Sequence, residues 1–289
     1  QGFENNNLKL AGVNKFSSAG ISSNSRYWNS ISITYSPILF KNLFLGINRV
    51  FMQPTQNSPP TKLKDYYLIA LNPLFRNEYQ DNKFPIDQEI SGLAKYVFTK
   101  ANAEIYFEYG WNDGSSNLRD WILDISHSTA SIFGIRKLQY LNNNSYLNIE
   151  VEATRMAQTL SSMQRNAGNW YTHGQLIEGY TNENQIIGAG SGLGNNLQTF
   201  TITWNKNWAK YGVKFQHISH DPIGFTDILN VDVNTFPIWN DYSYSFIIKQ
   251  KYKNILFNTN IEWVNSKNYL WKTKPQVNNL FISFNTIYI

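Results

Sequence analysis

Apolar and polar residues alternate with a period of two along most of this chain, which marks strands with one apolar face and one wet face. Over residues 103–111, Ile105, Phe107, Tyr109 and Trp111 fall on one face, and Glu104, Tyr106, Glu108 and Gly110 on the other. Over 145–155, Leu147, Ile149, Val151 and Ala153 oppose Asn148, Glu150, Glu152 and Thr154. Over 255–263, Ile255, Phe257, Ile261 and Trp263 oppose Asn258, Asn260 and Glu262. The same pattern predicts strands at 28–36, 43–53, 89–99, 129–139, 197–205, 211–218, 242–252 and 280–289. Segments of about 9–11 residues cross a bilayer when tilted.

Short and long connections alternate. Those at 37–42, 99–102 and 206–210 are brief and read as hairpin turns at one end; those at 54–88, 156–196 and 219–240 are long enough to lie outside or fold into a lumen. Residues 64–71 predict a short helix stopped by Pro73. No internal repeat beyond the hairpin, and no linker, divides residues 1–289, so a single domain is expected.

Composition decides what covers the apolar face. Charged residues are 16% of the chain and aromatics another 16%, against about 25% charged in ordinary soluble domains. A large soluble sandwich would carry more charge. An all-β, antiparallel transmembrane outer-membrane β-barrel with long extracellular loops resolves the conflict: its outer face meets lipid, with aromatic girdles, and its lumen is polar. A count of about 11–14 strands follows from the pattern. The absence of cysteine excludes disulfides and thiolate zinc sites, and no apolar run reaches the roughly 18 residues of a helical span. The basic residues behind the net charge of +5 are scattered, so nucleic acid is not an expected partner.

The densest candidate chemistry is the polar, aromatic and glycine-rich segment 170–196. It runs Trp170-Tyr171-Thr172-His173-Gly174-Gln175, then Glu178-Gly179-Tyr180-Thr181-Asn182-Glu183-Asn184-Gln185, and ends Gly188-Ala189-Gly190-Ser191-Gly192-Leu193-Gly194-Asn195-Asn196. Flat aromatic faces suit sugar C–H groups, and amides, carboxylates and imidazole suit hydroxyls. Trp170, Tyr171, His173, Tyr180, Gln185 and Asn195 are the candidate ligand-binding residues, and Trp239 is another aromatic in a loop. An ordinary long loop that binds nothing carries comparable weight on composition alone. The glycine run lacks the Lys-Ser/Thr of a phosphate loop. Glu104, Glu108, Glu150 and Glu152 read as lumen lining paired with Lys or Arg, in preference to a glycosidase pair. His217 and His220 would point to opposite faces of a strand, so a metal site there is not expected. No catalytic residue, metal or cofactor is assigned.

Several of these segments together resemble the Wzi family of outer-membrane capsule assembly proteins. They are Ser25-Arg26-Tyr27-Trp28-Asn29, the run from Lys41 to Met52, Glu104-Ile105-Tyr106-Phe107-Glu108-Tyr109, and most of all Tyr171-Thr172-His173 followed by Gly179-Tyr180 and Gln185-Ile186-Ile187-Gly188. Asn184 stands where the family pattern has glycine. The resemblance extends to about residue 220. It implies a monomeric antiparallel barrel in the bacterial outer membrane that acts as a lectin and performs no chemistry, holding surface or capsular polysaccharide. Members of that family are larger, with further N-terminal strands and a small helical plug that this sequence does not display. Either the sequence starts inside the mature chain or the barrel is shortened. Outer-membrane lipid, and other outer-membrane proteins, are further partners on this reading. The alternative is a structural accessory subunit of a larger secretion, transport or protein-insertion assembly; a diffusion porin ranks third.

Overall fold

The computed structural model describes residues 26–54, 87–112, 122, 125–142, 144–158, 170–171, 180–182, 185–192, 194–220 and 237–288; the helix expected at 64–71 lies outside them. In chain order the strands are β1 (Arg26–Tyr35), β2 (Leu43–Pro54), β3 (Asp87–Phe98), β4 (Ala103–Asn112), β5 (Thr129–Asn142), β6 (Ser145–Arg155), β7 (Thr181–Asn182), β8 (Gln185–Ile186), β9 (Asn196–Lys206), β10 (Ala209–Ser219), β11 (Asn240–Tyr252), β12 (Ile255–Lys267) and β13 (Gln276–Tyr288). All but the β7–β8 ribbon join one sheet of 11 strands among the described residues, each beside its predecessor in the order β1-β2-β3-β4-β5-β6-β9-β10-β11-β12-β13. Each of these sheet strands coincides with a segment of period-two alternation, and every pairing is antiparallel.

All short turns fall at one end of the sheet and all long connections at the other. Asn42, Asn102 and Asn207 take φ of 75°, 48° and 50° in the short turns, the left-handed conformation that asparagine tolerates better than most side chains. No helix among the described residues is long and apolar enough to cross a membrane.

The two faces are inverted relative to a soluble sheet. Along β11, Ser245 is 2% exposed while its neighbours Tyr244 and Phe246 are 45% and 59% exposed. On β9, Thr203 is buried and Phe200 exposed. The outer face carries rows of rings in register: Phe200, Phe215, Tyr244 and Trp263 sit side by side, with Phe215 and Tyr244 centroids 5.3 Å apart and Tyr244 and Trp263 5.5 Å apart. Nearer the short turns, Trp204 stacks on Tyr211 at 5.9 Å.

The inner face is cross-linked by polar side chains. Arg136 on β5 donates from Nε to Glu150 at 2.9 Å and from Nη1 to Glu104 at 3.3 Å, and Lys95 lies 3.6 Å from Glu104. Glu104 and Glu150 are thus lining paired with cations, as expected, whereas Glu108 is met by Asn48 and Ser91 and Glu152 by Tyr106. Tyr106 crosses β5 to donate to Glu152. Its ring occupies the space above Gly134, where a Cβ would lie 2.0 Å from Cζ.

The sheet has two edges among the described residues. β13 is exposed on both faces. Because β1 and β13 are first and eleventh in an alternating series, they run in the same direction.

Candidate functional site

At the long-connection end, the described residues between β6 and β9 pack against the inner face. Asn196 fastens the two ends of this segment, its Oδ1 accepting the backbone N–H of Met156 and of Ala157, each at 3.1 Å. The segment buries Met156, Trp170, Tyr171 and Tyr180 against Met52 of β2, with Val50, Ala130, Ile186 and Ala189 packed around them. Trp170 and Tyr171 meet edge to face at 5.9 Å, and Tyr171 and Tyr180 at 6.3 Å. Backbone bonds from Tyr180 to Tyr171 (3.1 Å) and from Ile187 to Tyr180 (2.8 Å) tie the strands of this loop together.

Tyr171 is the pivot. It adopts φ 68°, costly for a bulky residue and held only where surrounding packing dictates it. Its phenolic oxygen accepts the Ala189 N–H at 2.9 Å. Gly188 leaves room for the ring, since a Cβ there would lie 2.4 Å from Cζ. Trp170 uses a second glycine, its Cη2 sitting 2.9 Å from where a Cβ of Gly110 would be. Burial pushes the Tyr171 phenol up to about 12, so it stays neutral at any physiological pH.

Beneath this loop lies a cavity of about 390 Å³, walled by Asn48, Glu89, Ser91 and Glu108 from the sheet and by Trp170 and Tyr171 from the loop. Its size is within the range of about 300–1,000 Å³ usual for small-ligand pockets. On the sheet wall, Ser32 donates to Asn48 at 2.6 Å, and Asn48 and Ser91 both donate to Glu108, at 3.3 and 2.5 Å. Glu89 lies beside the Tyr171 backbone on the wall of this cavity. Its Oε1 and the indole N–H of Trp170 are buried without a partner among the described residues. Buried polar groups are rarely left unmatched, and here an acceptor and a donor belong to two walls of the same cavity.

The expected ligand residues therefore divide. Trp170, Tyr171 and Tyr180 come together, but as the buried packing of the loop. Asn195 donates to the Ser191 carbonyl at 2.7 Å and shapes the adjoining turn. Gln185 lies on β8, with its side chain outside the described residues, as is the whole of His173. Sequence reasoning missed Asn48, Glu89 and Ser91. Alternation puts Glu89 and Ser91 on the polar face, while Asn48 shares its face with Phe44, Val50 and Met52, so only the strand register brings it beside Ser91 and Glu108.

The other histidines have local partners. His217, on the outer face, contacts Gln198 at 3.1 Å and Asn240 at 2.9 Å and stacks on Tyr242. His220 lies 2.8 Å from Asp241 and 3.8 Å, centroid to centroid, from Trp239. Trp239 in turn meets Tyr269 and Trp271 edge to face, each at 5.1 Å. Among the described residues, no three His, Cys, Asp or Glu side chains are grouped to hold a metal ion.

An antiparallel sheet with apolar residues outward and a hydrogen-bonded polar interior has the architecture of a membrane β-barrel. No family model matches the chain, and no curated relative matches its sequence. Among solved structures it is similar to Wzi, an outer-membrane protein involved in group 1 capsule assembly in Escherichia coli and described as a carbohydrate-binding β-barrel. The TM-score is 0.62 at 15% identity, over 91% of this chain and 52% of Wzi. The chain thus spans about half the length of that protein.

Proposed function

We propose that this protein is an outer-membrane β-barrel that holds surface or capsular polysaccharide at the mouth of its lumen and performs no chemistry on it. The observation that carries the reading is the cavity beneath the 170–196 loop, where Glu89 Oε1 and Trp170 Nε1 are buried without partners among the described residues. A sugar hydroxyl can donate to the first and accept from the second, while Asn48, Ser91 and Glu108 offer further polar contacts. On this reading Trp170, Tyr171 and Tyr180 fix the loop over the lumen, and His173, Gln185 and Asn195 belong to the same glycan-contacting element. The likeness in fold to a carbohydrate-binding barrel supports the assignment. One such site is weak, and a long polymer gains avidity by engaging many copies.

The test is purification in mild detergent from the native host, with mass spectrometry and glycan analysis of whatever accompanies the protein. Polysaccharide retained by the natural protein and lost in Glu89→Gln and in Glu108→Gln is the expected result. A fixed set of partner proteins without glycan would instead favour the reading as an accessory subunit of a larger assembly. That second reading draws on the edge strand β13, exposed on both faces among the described residues, since unpaired edges are templates for another chain.

A further inference from the structure

The short-turn end of the sheet differs chemically from the end that carries the cavity. Its connections and the strand ends beside them bear Lys41, Lys100, Lys206, Lys210, Lys251 and Lys253, and no Asp or Glu stands in residues 36–42, 99–102, 143–144, 206–210 or 250–254. Lys41, Lys100, Lys206, Lys251 and Lys253 are exposed. Glu104 and Glu150, on strands that border these turns, face inward and are held by Arg136 and Lys95, and among the described residues no ion pair engages a turn lysine.

Exposed rings are interleaved with these cations. Lys251 Nζ stands 5.1 Å from the Trp208 ring and Lys253 Nζ 5.6 Å from Tyr252. Phe40 and Tyr140 are exposed along the same rim. The turn after β1 is fixed by bonds from Phe40 N to Pro37 O (3.2 Å) and from Leu43 N to Phe40 O (3.1 Å). It projects Ile38 and Leu39, 86% and 90% exposed, beside Lys41. An apolar tip, aromatic rings and flexible ammonium groups at one level match the boundary between acyl chains and headgroups. The lysines follow the rim from the β1–β2 turn to the β11–β12 turn. A perimeter of this kind suits a ring of lipids better than one globular acidic protein.

We infer that the short-turn rim is a collar that binds the anionic phosphate headgroups of the adjacent membrane leaflet. This rests on the membrane placement proposed above and not on glycan binding. Each lysine near an anionic surface strengthens attachment by roughly fivefold.

The full chain is purified in detergent micelles doped with either phosphatidylglycerol or phosphatidylcholine, and the lipids it retains are counted by native mass spectrometry. Preferential retention of phosphatidylglycerol is expected, falling by about tenfold or more in K206Q/K251Q/K253Q while phosphatidylcholine retention is unchanged. K272Q/K274Q, at the opposite end, should leave both as they are. Trp208→Ala should weaken retention with the charges intact, and circular dichroism checks that each variant keeps its strands. Equal retention of the two lipids by the natural protein, or an equal loss in K272Q/K274Q, overturns the inference. Failure of the natural chain to enter micelles at all overturns the membrane placement itself, before any lipid is counted.

Discussion

At Gly188 a single hydrogen atom in place of a side chain makes room for the Tyr171 ring. A methyl group there would meet the Tyr171 ring at 2.4 Å from Cζ, and neither side can give way easily. The ring is wedged between Trp170 and Tyr180, and its oxygen is held by Ala189. Gly188→Ala should therefore cost about 1–3 kcal/mol, the usual range for overpacking, and should expose the 170–190 segment to limited proteolysis while the sheet stays folded. Tyr171→Phe keeps the ring and removes only the acceptor for the Ala189 N–H, so about 1 kcal/mol is expected. The phenol also sets a pH dependence. Its folded pKa, raised by burial to about 12, exceeds the unfolded value of about 10. The stability it lends is fully present below about pH 10 and is lost as pH rises through about 12. Unfolding midpoints at pH 9 and pH 12 should fall further for the natural protein than for Tyr171→Phe. Parallel falls would show that the phenol is not the titrating group.

One strand is enough to test which face meets lipid. Phe246 and Ile247 are neighbours on β11 but face opposite ways, Phe246 into the exposed apolar row and Ile247 toward Gly212 and Asn260 on the polar side. Phe246→Lys should cost about 2–4 kcal/mol in folding from urea into lipid vesicles, and Ile247→Lys less than about 1 kcal/mol. Equal costs would mean that the outer face is not in lipid. The strands themselves were readable because alternation depends only on neighbouring residues: Ile105, Phe107 and Tyr109 declare a face without help from any other segment. The pairing of Glu104, Arg136 and Glu150 was readable in kind but not in detail, since it needs the register of three strands. The site was the least legible part. An aromatic residue in a loop reads the same whether it faces water or fills a core. What buries Trp170 and Tyr171 is Met52, Met156, Gly110 and Gly188, contributed by other strands or by distant parts of the loop. Glu89 looked like any other residue of a wet face, and Asn48 like a polar member of an apolar row, until the cavity joined them.

For the molecule as a whole, the constraint is the pair of edges. Lipid cannot hydrogen-bond the free N–H and C=O groups of an edge strand, so a sheet in a membrane must be closed or covered. Among the described residues, β1 and β13 pair only with β2 and β12. They run in the same direction, so joining them directly would require a parallel seam in an otherwise antiparallel sheet. Antiparallel closure needs an odd number of additional strands between them, from elsewhere in the protein or from a partner. Because the chain contains no cysteine, engineered pairs test this without background. Cysteines at Asn260 and Ser283, opposite each other on β12 and β13, should form a disulfide under mild oxidation in vesicles. Cysteines at Ser32 on β1 and Asn285 on β13 should not, since antiparallel closure would hold the two edges beyond the roughly 7 Å Cα separation a disulfide tolerates. A disulfide in the second pair within one chain would mean that the sheet closes on itself through a parallel seam. The exposed face of β13 would then need no covering strand, and the accessory-subunit reading would lose the observation that favours it.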